Sequence, residues 1–138
     1  MNRGDCMDKK ELHVRILFNM MLKSLQEIAK VDIDLQEELE EFDAKIQWKI
    51  GSIRGYQVFK DCRVSYKIDD EIEDPDLTLI LTDLDFAKDF FSGKIDGTTA
   101  FMSGDLKIDG DLQIALTYGT LSDYIYEYLE PIIQRTEN

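Results

Sequence analysis

The thirty-five residues from Leu77 to Asp111 constrain the fold more than any other part of the chain. Leu77, Leu79 and Leu81 alternate with Thr78, Ile80 and Thr82, the period-2 pattern of a strand. Thr82, followed three residues later by Asp85, has the spacing of a capping box and predicts a helix N-terminus. Leu84, Ala87, Phe90 and Phe91 fall on one face of that helix, and Gly93 stands where a glycine stops it. A turn at Lys94-Ile95-Asp96-Gly97 leads into a short apolar helix start, Ala100-Phe101-Met102. Leu106 and Ile108 then share a face of a second short strand between Gly104 and Gly110.

Upstream, Val14, Leu17, Met21, Leu25 and Ile28 recur at helical spacing, so Asp8 to Lys30 is an amphipathic helix. Ile16, Phe18, Met20 and Leu22 widen its apolar face. Such a helix either covers a sheet or lies on a membrane with its basic flank down. His13, the only histidine, has no Ser or Cys near it in sequence and reads as a helix-surface residue. Leu35, Leu39 and Phe42 suggest a short second helix or turn with Glu37, Glu38, Glu40 and Glu41 turned outward.

The period then changes from 3.6 to 2. Ala44, Ile46, Trp48 and Ile50 alternate with Lys45, Gln47 and Lys49, a strand with one wet face. Gly51 and Ser52 begin a turn, and Tyr56 to Lys60 is a second strand of open register. Cys62, Val64, Tyr66 and Ile68 alternate with Arg63, Ser65 and Lys67 as a third. The short intervals favour antiparallel hairpins. Asp69 to Asp76 is the most acidic segment. It lacks the spaced ligands, central Gly and terminal Glu of a calcium loop and, with Pro75, reads as a solvated connection. Beyond Asp111, Leu112, Ala115 and Leu116 mark a helix with Ile114 beside them, and Gly119 is expected to end it. Leu121, Ile125, Tyr128 and Ile132 then form a last amphipathic stripe, capped by Thr120 or Ser122 and limited by Pro131.

A chain of 138 residues, 43% of them hydrophobic, suffices for one globular domain with a real core. Two prolines, eight glycines and the lack of a low-complexity tract give no sign of a linker. Charge is uneven: residues 1–30 hold six Lys/Arg against four Asp/Glu, whereas residues 31–138 hold ten against twenty-five. A chain of net charge −13 repels phosphate backbones, which disfavours nucleic acid. It also disfavours anionic membrane, except for transient contact through residues 9–30. Cys6 and Cys62 are too few for a disulfide framework and lack metal-site spacing. The polar start from Met1 to Glu11, the lack of a roughly 20-residue apolar run and the ending Arg135-Thr136-Glu137-Asn138 predict a soluble, cytoplasmic protein.

No nucleophile elbow, phosphate loop, dinucleotide fingerprint or Cys/His cluster is present, so neither a catalyst nor a cofactor is expected. What remains is a surplus of apolar surface. One sheet face carries Ile46, Trp48, Ile50, Val64, Tyr66, Ile68, Leu77, Leu79 and Leu81, and Phe86, Phe90, Phe91, Phe101, Met102, Leu112, Ile114 and Leu116 lie on helices that could cover it. A filled core explains every one of these residues. A cavity of a few hundred Å³, the usual scale of a ligand site, explains them equally well.

The stretch resembles the type-2 sterol carrier protein family of small intracellular lipid-binding domains. The carrying residues are Leu79 to Thr82 with Asp83-Leu84-Asp85-Phe86, then Ser92-Gly93-Lys94, Ala100-Phe101-Met102-Ser103-Gly104, Leu106-Lys107-Ile108 and Gly110-Asp111. Weaker similarity runs from Leu12 to Tyr118. The resemblance implies an α+β fold, a mostly antiparallel five-stranded sheet of order 3-2-1-4-5 with helices packed on one face. One domain over residues 1–138 is expected, its core about 9–118 and residues 119–138 a C-terminal helical extension. The implied function is binding and transfer of a fatty acid, acyl-CoA or sterol-like lipid between sheet and helices. The implied tunnel wall is Phe86, Phe90, Phe101, Met102, Leu112 and Leu116, with Ala115 beside them and Trp48, Tyr66, Leu79 and Ile108 from the sheet. Gly97 stands where the family often has Pro, and Asp105 and Asp109 replace lysines common there. The alternative is a non-transporting interaction or regulatory module that forms a homodimer or partners an enzyme through its apolar surface.

Overall fold

The computed structural model describes residues 8–137, with side chains through Ile132. Element order is α1 (Lys9–Val31), α2 (Ile33–Leu39), β1 (Ala44–Ile50), β2 (Ile53–Lys60), β3 (Arg63–Ile68), β4 (Leu77–Leu81), α3 (Leu84–Phe91), α4 (Gly97–Ser103), β5 (Leu106–Gly110) and α5 (Leu112–Glu137). The strands form one sheet of order β3-β2-β1-β4-β5. Neighbours are antiparallel except the central pair, where β4 runs parallel to β1. The expected α+β fold and strand order are therefore what the chain adopts.

Register explains the layering. Directly paired residues project to the same side of a sheet. Ile46 is opposite Leu77, Trp48 opposite Leu79 and Ile50 opposite Leu81. On the other flank Tyr66 pairs with Gln57 and Ile68 with Gly55, which pair in turn with Ile46 and Trp48. All nine apolar strand positions expected on one face share that face, and α1 packs across it. Gly55 permits the close approach, since a Cβ there would sit 2.7 Å from Cε2 of Phe18. Val14, Phe18, Leu22 and Leu25 of α1 are fully buried, so this helix covers the sheet, the first of its two expected roles.

The polar residues between these elements set their ends. Asp8 caps α1 by accepting from the Glu11 amide at 2.8 Å, and Glu11 and Lys30 suit the dipole at either end. Asp32 caps α2 by accepting from the Leu35 amide at 3.0 Å. Asp96 caps α4, which stops at Gly104 in the left-handed region.

Five expectations are corrected. The cap of α3 is Asp83, one residue after Thr82, accepting from the amides of Asp85 and Phe86, because an Asp oxygen reaches both donors. The second strand begins at Ile53, earlier than Tyr56, since the turn is only Gly51-Ser52. Cys62 is not in the third strand. With Asp61 it forms a two-residue turn, both with positive φ (53° and 62°), which matches the twist of the hairpin. Gln47 is not on a wet face: it is 2% exposed beneath residues 69–72. Its amide donates to the carbonyls of Trp48 and Gly55, and its Oε1 accepts from the Ile72 amide. Gly119 does not end a helix, and neither Thr120 nor Ser122 caps a new one. α5 runs unbroken through it and through Pro131, with open space around the Gly119 Cα and Thr120 donating back to the Leu116 carbonyl. Cys6 lies outside the described residues.

Candidate ligand-binding site

Trp48 sits at the centre of the sheet–helix interface. Its ring meets Phe91 at 5.3 Å, Phe18 at 5.9 Å and Tyr118 of α5 at 6.1 Å. Its indole N–H is satisfied within the core, donating to the Tyr118 hydroxyl at 3.1 Å and towards Gln57 Oε1 at 3.4 Å. The Tyr118 hydroxyl donates in turn to Gln57 Oε1. Burial pushes the Tyr118 phenol far above its ordinary range, so it is neutral at any physiological pH. The middle of the interface is thus filled by packed aromatic rings around a small polar triad.

The sequence-predicted residues divide by position. Trp48 and Leu79 are buried in this core. Leu79 pairs with Ile108 on β5, an edge strand, where Ile108 is half-buried. Phe86 and Phe90 are half-buried on α3, their rings stacked at 6.5 Å, and Phe90 approaches Trp48 at 6.3 Å. Ala115 is half-buried on α5. Four more are open to solvent: Phe101 is 42% exposed, Met102 78%, Leu112 53% and Leu116 61%. They occupy α4 and the first turns of α5, on either side of β5. Asp111, which accepts from the amides of Gln113 and Ile114, starts α5 directly after that strand.

Tyr66 lies apart from them. It lines a groove of about 560 Å³ between α1 and the second half of α5, with Met20, Lys23 and Ile28 on one side and Ile125, Tyr128 and Leu129 on the other. The sequence signals this groove only through Met20, which widens the α1 face, and the Ile125–Tyr128 stripe. A second recess, about 360 Å³, separates α1 from α3 and includes His13, Leu17, Lys88 and Ser92. His13 is exposed. Among the described residues, no His, Cys, Asp and Glu side chains group as a metal site, and no helix is long and apolar enough to cross a membrane.

A mixed five-stranded sheet with helices on one face, apolar rings between them and apolar side chains left open around the roof defines the sterol-carrier class of domain. The SCP-2 sterol transfer family matches residues 22–123, and the chain belongs to it. Solved structures share the fold. The apo sterol carrier protein 2 of Yarrowia lipolytica superposes with a TM-score of 0.60 at 19% identity, over 78% of this chain and 87% of that one. The sterol carrier protein domain 2 of Helicoverpa armigera gives 0.57 at 24%, over 75% and 84%. The ubiquinone synthesis protein UbiJ-SCP2 gives 0.57 at 18%, over 87% and 96%. The sec-alkylsulfatase Pisa1 from Pseudomonas sp. carries a similar unit, but the chain covers only 14% of its length (TM-score 0.54, 18% identity, 62% of this chain). No curated protein matches the chain significantly.

Proposed function

We propose that this protein is a non-catalytic, cytoplasmic lipid-binding and lipid-transfer domain that takes a long-chain fatty acid, acyl-CoA or sterol-like molecule. The observation that carries the reading is the set of large apolar side chains left exposed around β5, namely Phe101, Met102, Leu112 and Leu116. A fold that buries Trp48 and Phe18 almost completely leaves these four exposed on α4 and at the start of α5. An acyl chain entering there would lie between the α3–α4 side, with Phe86 and Phe90, and the Leu79–Ile108 floor. Transfer of each methylene from water contributes about 0.8 kcal/mol, so affinity should grow with chain length. Titrating delipidated protein with saturated fatty acids of increasing length, followed by the fluorescence of Trp48, tests this. Binding that tightens with length supports the reading; absence of binding, or binding indifferent to length, ends it.

A second reading is a non-transporting module that partners an enzyme or a second copy. It is favoured by apolar surface that the lipid reading leaves unused. On α5 beyond the family match, Tyr128 and Ile132 are also exposed. Native mass spectrometry of gently purified protein separates the two, showing a co-purifying lipid in one case and a ligand-free assembly in the other.

A further inference from the structure

The face of the sheet away from the helices carries a charge opposite to that of the protein. Cross-strand register places Lys45, Lys49, Arg54, Lys60, Arg63, Lys67 and Lys107 on it, against a single strand carboxylate, Asp109. Seven of sixteen Lys/Arg thus collect on one face of a chain of net charge −13. The protein has already placed an acidic peptide there. Residues 69–76 cross this face between β3 and β4, held by Gln47 from below. Asp70 pairs with Lys67 at 3.0 Å, Glu71 reaches Lys49 at 4.0 Å, and Asp76 accepts from the Lys45 amide at 2.8 Å. Lys60 and Arg63, at the β2–β3 hairpin end, and Lys45 have no ion pair among the described residues. Val58 and Ser65 lie between them in adjacent registers.

We propose that Lys45, Lys60 and Arg63 form a docking surface for an extended acidic peptide segment of a partner protein, lying beside the chain's own acidic crossing. Geometry suits an extended ligand. Strands are spaced about 4.8 Å apart and alternate residues along one lie about 6.7 Å apart, so the three cations fall within reach of carboxylates at alternate positions of one strand-like segment. The crossing also decides against a flat anionic surface. Glu71, Asp74 and Asp76 are exposed along it, while Asp69 turns to Arg15 of α1 at 2.7 Å, so a membrane approaching this face would meet carboxylates first, whereas a peptide one strand wide can lie alongside. Asp61 in the hairpin turn and Asp43 before β1 are the nearby acids the ligand must share the surface with, and acids farther than the Debye length of about 8 Å are largely screened at physiological salt.

The test is fluorescence anisotropy of a labelled nine-residue peptide of alternating Glu and Val with the full chain. Binding is expected, weakening at least about tenfold between 25 and 250 mM NaCl. The double variant Lys60→Glu/Arg63→Glu should lose at least about tenfold in affinity, and Lys60→Gln/Arg63→Gln should lose less. Lys9→Glu/Lys10→Glu on α1 should change nothing, and the circular dichroism of each variant should match the parent. Vesicles of phosphatidylserine and phosphatidylcholine should not compete. Failure of the peptide to bind, equal binding by all variants, or displacement by the vesicles would overturn the proposal.

Discussion

Replacing Tyr118 with Phe isolates what one buried hydroxyl does for the core. The change removes the acceptor 3.1 Å from Trp48 Nε1 and leaves only the longer contact to Gln57. A buried donor deprived of its good partner costs about 1–3 kcal/mol, which urea unfolding should read. The variant also has a pH signature. Burial raises the folded phenol above its unfolded value of about 10, so its contribution is fully present below pH 10 and is lost as pH rises towards the folded value. Tyr126 is shifted upward by burial too, so the variant should keep a shallower alkaline slope and not a flat one. Equal slopes in parent and variant would disconnect Tyr118 from alkaline stability. Met102 offers the opposite case. At 78% exposure it has room for a larger ring, so Met102→Trp should change stability by less than about 0.5 kcal/mol while weakening lipid binding at the rim. A loss of about 1–3 kcal/mol would mean that the side chain overpacks a closed core.

Asp32 shows how much of the helical roof hangs on single polar residues. Its amide donates to the Ile28 carbonyl at the end of α1, its carboxylate caps α2, and the Tyr128 hydroxyl of α5 donates to it at 2.6 Å. Tyr128 first, then the Leu35 amide, hold its carboxyl below the usual range, so its contribution is present above about pH 4 and fades as pH falls through the lower folded value. Asp32→Ala should lower stability as a lost cap, and Tyr128→Phe on that background should add almost nothing. Additive losses would show that the two do not act together. Elements of this kind were legible in the sequence where a period repeats: α1, β1, β4 and the face they share. Boundaries were less so. Cys62 fits the alternation of β3, yet the tight turn claims it, and Gly119 looks like a stop, yet burial of Tyr118, Leu121 and Ile125 carries the helix through. Gln47 reads as solvated by alternation alone, because nothing local reveals that a distant acidic crossing lies over it. The candidate site was the least legible, since a filled core and an open rim demand the same apolar residues.

For the whole molecule, net repulsion competes with local attraction. Twenty-nine acids face sixteen bases, and the described ion pairs, such as Lys10–Asp85 at 3.0 Å, are largely exposed. Exposed pairs contribute about 0–1 kcal/mol and weaken with salt, whereas repulsion among excess acids acts over the Debye length, about 30 Å at 0.01 M and 8 Å at 0.15 M. Repulsion should win. The melting temperature, followed by circular dichroism, should rise between 10 and 150 mM NaCl; a fall would show that the pairs dominate.

The parallel joint between β1 and β4 has a consequence in time. β1, β2 and β3 close through two-residue turns and can assemble from neighbours in the chain, but Ile46 meets Leu77 only across 31 positions. Closing that longer loop is the entropically costly step, so the meander should form early and the β4–β5 half should dock onto it late. Substitutions in the β2–β3 hairpin should therefore slow refolding, and substitutions in β4 should mainly hasten unfolding. Trp48, paired with Leu79 in the middle of the joint, would report the docking step in a stopped-flow trace. Until it is complete, β1 stands as an unpaired apolar edge, the part of a young chain most exposed to wrong partners.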